Sequence, residues 1–206
     1  MLAPLVALLP VTLLLAPAAR ADDSQGGDSQ GGGSQGGGSQ GGGTDIGLTV
    51  EAYGQQVVGE GPAVGLGARL HPTRATFVVA EGRGAVGGHW IGRGTVGLDL
   101  LGASKTLDFT LGLFLGTTGS WAPIGMNTID PTAGFELGLG LNVGPVRGRY
   151  RHADGFRGPL ESRLTENEWR LGAELGRFQV FGQYIRFNLG DDQAIGGLGA
   201  GASVAF

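Results

Sequence analysis

The chain ends in an unbroken alternation. Leu198, Ala200, Ala202, Val204 and Phe206 share one parity, and Gly199, Gly201, Ser203 and Ala205 share the other. Successive side chains of a strand point to opposite faces, so this stretch has one apolar surface and one nearly bare surface. It closes a series of similar segments at 46–53, 63–70, 75–81, 95–101, 107–115, 133–142, 146–153, 168–175, 178–187 and 195–206. Apolar residues recur at a period of two throughout, which excludes an amphipathic helical bundle. Glycine contributes 44 of the 206 residues, far above the usual share of about 7%. Much of it falls inside these segments, where it marks a crowded interior or a close strand approach.

The connections alternate in length. His71-Pro72-Thr73-Arg74, Gly102 to Thr106, Gly144-Pro145 and Gly176-Arg177 are tight. Between them, longer loops are expected near 54–62, 82–94, 116–132, 154–167 and 188–194. Short turns on one side and long loops on the other suit an even-stranded meander with both ends on the short-turn side. Ten strands are expected; eight would result if two weak segments, 75–81 the weakest, were ribbons within loops.

Facing is consistent along the segments. Leu107, Phe109, Leu111, Leu113 and Leu115 share a face, as do Phe135, Leu137, Leu139 and Leu141, and Trp169, Leu171, Ala173 and Leu175. The alternate positions carry Asp108, Thr110 and Gly112, then Glu136, Gly138 and Gly140, then Arg170, Gly172 and Glu174. Threaded up and down, Phe77, Phe109, Phe178 and Phe206 fall near the short-turn end, and Phe135, Trp169 and Tyr184 near the long-loop end. Two aromatic belts are expected where a barrel crosses two membrane interfaces.

With its terminal aromatic, the last strand resembles the C-terminal signature of Gram-negative outer-membrane proteins. Residues 45–206 as a whole resemble small porin-like or OmpA/OmpX-type barrels. The resemblance implies an all-β, closed antiparallel up-and-down transmembrane barrel of about ten strands in the outer membrane. It also implies a monomer in contact with outer-membrane lipid and lipopolysaccharide. The barrel-assembly machinery would engage the strand ending in Phe206, and the role would be structural or that of a narrow passive pore.

The tight Gly144-Pro145 turn sets Asn142 opposite Arg147, Gly140 opposite Arg149 and Gly138 opposite Arg151. Arg147, Arg149, Arg151 and Arg170 are then expected on the inner wall, with Glu51, Asp99, Asp108, Glu136 and Glu174 as opposing charges. Unpaired charges are costly in a poorly hydrated lumen, so pairing is expected. Gly197, Gly199 and Gly201 leave space that either loosens the lumen or receives neighbouring side chains.

Ahead of the barrel, residues 1–21 read as a secretory signal. An apolar run from Leu5 to Ala16 leads to Ala19-Arg20-Ala21, a small-x-small cleavage site before Asp22. Residues 22–44 repeat Ser-Gln-Gly-Gly with variations and have nothing to bury, as expected of a flexible periplasmic linker. There is no cysteine, so a disulfide framework and a thiolate metal site are excluded. A net charge of -4 gives no basic footprint for nucleic acid.

His71, His89 and His152 are not at metal-ligand spacing, no phosphate-cradling loop is present, and no metal or cofactor is expected. The sequence His152-Ala153-Asp154, with Glu166 beyond it, resembles over about fifteen residues the His-x-Ser…Glu arrangement of lipid A 3-O-deacylase barrels. That resemblance implies His152 as base and Glu166 as its orienter. Asp154 occupies the nucleophile position, so the family's acyl-enzyme is not expected, and such a lipid A-modifying enzyme is the alternative to a non-enzymatic role. Omptin-like proteases use Asp and His groups at the barrel top; only Asp191-Asp192 and His152-x-Asp154 are similar here, without that family's spacing. Arg83, Arg93, Arg157 and Arg163, with Trp90, Trp121 and Phe156, are expected in loops, where they suit lipopolysaccharide phosphates and acyl groups.

Overall fold

The computed structural model of the chain describes residues 46–86, 88–101, 106–120, 129–158, 162–188 and 194–206. The expected signal and linker lie outside these residues, as do Trp121, Asp191 and Asp192. The described residues form ten strands: β1 (Gly47–Val57), β2 (Gly61–Thr73), β3 (Thr76–Ala85), β4 (His89–Asp99), β5 (Leu107–Ser120), β6 (Ile129–Val143), β7 (Val146–Arg157), β8 (Ser162–Leu175), β9 (Phe178–Asn188) and β10 (Ile195–Ala205). Each pairs with its neighbours in sequence, and β10 pairs antiparallel with β1 to close an up-and-down barrel. Phe206 itself joins the seam, donating its backbone N–H to the Leu48 carbonyl at 2.8 Å. All ten expected segments are strands, so the eight-stranded alternative does not apply.

The two-residue hairpin turns work for a local reason. Gly144 and Gly176 take φ of +58° and +68°, the left-handed region that such turns require and that glycine enters without strain. On the opposite side, strand continues into the expected long loops near 54–62, 82–94, 116–132 and 154–167. β1 runs to Val57 and β2 starts at Gly61; β3 runs to Ala85 and β4 starts at His89. In β3 and β8 these extensions put glycine or polar residues on the outer face as well as charged ones on the inner face, and in β4 Gly92 and Gly94 follow Trp90 on the outer face. The extensions therefore lack the apolar contrast that makes a strand visible in sequence.

The register slides around the ring, as tilted strands require. From Trp169 in the middle of β8, the partners run through Tyr150 and Leu139 to Phe109 at the start of β5. β6 and β7 pair with Asn142 opposite Arg147, Gly140 opposite Arg149 and Gly138 opposite Arg151.

The apolar face is the outside. Leu113, Leu115, Leu139, Leu171 and Leu198 are exposed, whereas Glu136, Glu166 and Glu168 are buried. A sandwich packed for water would have the reverse arrangement. Inside, glycines receive bulky neighbours. A Cβ on Gly201 would meet the Tyr53 Cβ at 2.5 Å and the Phe181 ring at 2.7 Å; one on Gly199 would meet the Gln55 Cβ at 2.7 Å. The bare wall of β10 thus accepts side chains from β1 and β9.

The closest approach in the wall is at Gly134 and Gly155, register partners on β6 and β7. A Cβ on Gly134 would lie 2.2 Å from the Asp154 carbonyl oxygen and 2.6 Å from the Gly155 Cα. Backbone atoms cannot swing aside, so Gly134→Ala is expected to destabilise the folded barrel by about 1–3 kcal/mol. Gly94→Ala, whose nearest neighbour would be 3.8 Å away, should be near neutral. Urea midpoints of the refolded proteins in detergent measure both.

Candidate functional site

The lumen is organised around a chain of buried ion pairs. Period two gives β3 two inward charges, Glu81 and Arg83, gives β4 Arg93 and β7 Arg151, and gives β8 Glu166, Glu168 and Arg170. Arg151 is the hub. Its Nη1 reaches Glu81 at 2.7 Å, and its Nη2 reaches Glu166 at 2.8 Å and Glu168 at 2.6 Å. Arg93 donates to Glu81 and to Glu166, the latter at 3.0 Å. Arg83 bonds the second Glu166 oxygen at 2.6 Å. Arg170 holds Glu51 through two nitrogens at 2.5 and 2.9 Å and also contacts Glu168. Glu136 lies 3.7 Å from Arg151 and 3.9 Å from Arg93.

These contacts cross the lumen, because β3 and β4 are separated from β7 and β8 by two strands or more around the ring. Guanidinium groups suit the task, since each presents several donors in a fixed plane and one can serve several carboxylates. Rings support them: the Arg93 guanidinium lies 5.3 Å from the Phe114 centroid and that of Arg170 4.6 Å from Phe181. Two apolar clusters adjoin the network toward the long-loop end. One contains Tyr53, Val57, Ala63, Ala85, Phe181, Ile185 and Phe187, the other Phe114, Ala153 and Leu164.

Every arginine and carboxylate expected in the lumen lies at an inward-facing position, but they do not form one wall. Arg151, Arg170, Glu51 and Glu136 join the central network. Arg147 pairs separately with Glu174, its Nε at 2.9 Å from the carboxylate, and both side chains are about two-fifths exposed at 39% and 38%. Asp99, Asp108 and Arg149 lie in the short-turn half. The space beside Gly138 and Gly140 is occupied by Thr110 and Asp108 of β5, not by the arginines opposite them.

Sequence reasoning missed Glu81, Arg83, Arg93, Glu166 and Glu168 as lumen groups. Arg83 and Arg93, expected in surface loops, are buried in the network. Arg157 points inward and meets Asp130 at 2.8 Å. Of that loop set of arginines, Arg163 alone is on the outer face, paired with Asp154. His152 and Glu166, the pair required by the deacylase resemblance, lie on opposite faces: His152 points outward beside Asn167, and Glu166 is buried in the lumen.

The belts need two corrections. Phe77 is fully buried inside the barrel, with the Arg69 guanidinium 4.3 Å from its centroid. It shares parity with Glu81 and Arg83, which must reach the network, so Val78 takes the outer position instead. Phe109, Phe178 and Phe206 face outward toward the short-turn end; Phe135, Trp169 and Tyr184 also face outward but near mid-strand, not at the long-loop end, because β6 and β8 extend into the expected loops. Tyr150, Trp169 and Tyr184 occupy one row across β7, β8 and β9 with centroid separations of 5.4 and 5.6 Å.

No protein-family model matches the chain, and no curated protein matches it. Solved structures do. The N-terminal β-barrel domain of Pseudomonas aeruginosa OprF matches at 10% identity and TM-score 0.39, covering 78% of this chain and 97% of that one. The NanC porin matches at 9% identity and TM-score 0.45, covering 75% and 98%. Neisserial surface protein A matches at 13% identity and TM-score 0.25, covering 78% and 97%. Likeness at this level says nothing about role, which must come from this chain's own residues.

Removing Arg151 would leave several buried carboxylates short of a partner. Arg151→Met is expected to lower the unfolding free energy by about 3–5 kcal/mol, whereas Arg147→Met, at the half-exposed pair, should cost less than about 1 kcal/mol. Equilibrium unfolding in urea compares the two.

Proposed function

We propose that this chain is an integral outer-membrane barrel of a Gram-negative bacterium with a structural role, its interior closed to solutes by its own side chains. The observation that carries the reading is the inversion of faces: leucines outside, glutamates and arginines inside. Strands of 10 to 15 residues suffice for tilted transmembrane strands, which need about 9–11. Outward aromatic residues at two levels, Phe109, Phe178 and Phe206 by the short turns and Phe135, Trp169 and Tyr184 near mid-strand, suit two interfaces. The strand ending in Phe206 suits recognition by barrel-assembly machinery, and the polar filling gives no reason for a second copy.

Closure is favoured over a narrow passive pore by the Arg151–Glu81 contact, which joins opposite sides of the lumen at 2.7 Å, and by the apolar clusters next to it. Small barrels are filled by side chains, and aqueous channels belong to much larger rings.

Two measurements test this reading. The refolded protein in detergent should migrate differently before and after boiling, and a protein that refolds only without detergent would refute the membrane assignment. In a planar bilayer the inserted protein should pass no steady current; ohmic steps in 1 M KCl would establish a pore instead.

A further inference from the structure

Among the described strand residues, charge on the outer wall is confined to one panel. Of the arginines within strands, Arg69, Arg83, Arg93, Arg147, Arg149, Arg151, Arg157 and Arg170 stand at inward positions. Arg163 of β8 and Arg186 of β9 stand on the outer face, and both are exposed. They lie beyond the aromatic row of Tyr150, Trp169 and Tyr184. Next above that row come His152, Asn167 and Arg186 as register partners, followed by Asp154, Thr165 and Asn188. The side chains are already linked: Tyr150 donates its hydroxyl to Asn167 Oδ1 at 2.7 Å, and His152 Nδ1 meets the same oxygen at 3.0 Å. Asp154 binds Nε and Nη2 of Arg163, and Nη1 has no partner among the described residues. Below the aromatic row, Gly148 and Gly182 flank Leu171, and a Cβ on either would meet nothing closer than 3.9 Å. They leave shallow furrows on each side of Leu171. A depression whose outer lining includes Leu139, Leu141, Gly148, Tyr150 and Trp169 continues the first furrow.

From this panel we infer a binding site for one phosphorylated glycolipid, with its acyl chains in the Gly148 and Gly182 furrows and its phosphates on Arg186 and Arg163. Charge complementarity selects an anion, because both outer-face arginines within strands stand here against a single carboxylate, Asp154. The depth of the polar zone selects a sugar headgroup. From Trp169 to Arg163 the strand climbs six residues, about 20 Å along its axis. Much of that length carries mixed donors and acceptors (Asn167, Thr165, Asp154, His152), which suit hydroxyls better than a single phosphodiester does. Aromatic rings at the boundary between chain and headgroup complete an amphiphile's outline.

The inference rests on the membrane reading above, and its test separates the two. Native mass spectrometry of the full chain in detergent would count bound lipid A, with phosphatidylglycerol as the competing source of phosphate and Arg177→Gln, in an exposed turn at the other end, as control. Lipid A should be retained in preference to phosphatidylglycerol. The Arg163→Gln/Arg186→Gln double variant should weaken lipid A binding about tenfold or more, the loss expected from removing charge-assisted hydrogen bonds. Gly148→Leu/Gly182→Leu should weaken it independently by filling the furrows. Arg177→Gln should bind as the parent does. Equal binding by parent and Arg163→Gln/Arg186→Gln, in proteins that keep heat-modifiable mobility, would overturn the site and leave the membrane reading intact. Equal retention of phosphatidylglycerol would overturn the sugar assignment. Loss of heat-modifiable mobility in the parent protein would instead defeat the membrane reading on which the site rests.

Discussion

A backbone amide in hydrocarbon has no water to bond, so every N–H and C=O that enters the bilayer must find a partner within the protein. In a sheet this fails at two edges unless the first and last strands meet. Here β1 and β10 meet along Thr49 to Val57 and Gly197 to Ala205, and the Phe206 amide extends the seam by one more bond to Leu48. The face assignment follows from closure. Once the ring is sealed, each strand has one side toward the surroundings and one toward a narrow interior. Leucine and valine then occupy the first, and whatever fits and pairs occupies the second.

The interior combines two kinds of filling. Where glycines line β10 and β2, large side chains lie across them: Tyr53 lies against Gly65 and Gly201, and Gln55 against Gly199. Where charged residues face inward, neutralisation is reciprocal, with Arg151 and Arg93 sharing Glu81 and Glu166. Buried ion pairs of this kind add little net stability relative to apolar filling, but breaking one is costly. They tie β3 and β4 to β7 and β8 across the lumen, in addition to the pairing around the ring. A rigid, filled interior suits the structural role proposed above.

How much of this was legible in the sequence depended on contrast between faces. β5 and β6 were plain, because Leu111 and Leu139 alternate with Gly112 and Gly140. The β6–β7 register was also readable, because Gly144-Pro145 permits little but a tight turn. The long-loop halves of β3, β4 and β8 were not. There Glu81 and Arg83 alternate with Gly82 and Gly84, and Glu166 with Thr165 and Asn167, so both faces read as polar and the segments resemble loops. That misreading hid most of the central network. It also put Arg83 and Arg93 on the surface, although Arg93 shares parity with Asp99, which was assigned inward. Phe77 was misplaced for a related reason: position near a turn was weighed above parity with Glu81. The pairing partners of Arg151 depend on side-chain reach across the lumen, which no local pattern records.

The central claim is that the leucine surface meets acyl chains and the charged surface encloses the middle. The chain has no cysteine, so single cysteines introduced at each position from Phe135 to Asn142 can carry a spin label in a lipid bilayer. Accessibility to lipid-soluble oxygen should peak at 135, 137, 139 and 141 and fall at 136, 138, 140 and 142, with the water-soluble nickel reagent excluded from the oxygen maxima. The opposite phase, or nickel access at Leu137 and Leu139, would contradict the account.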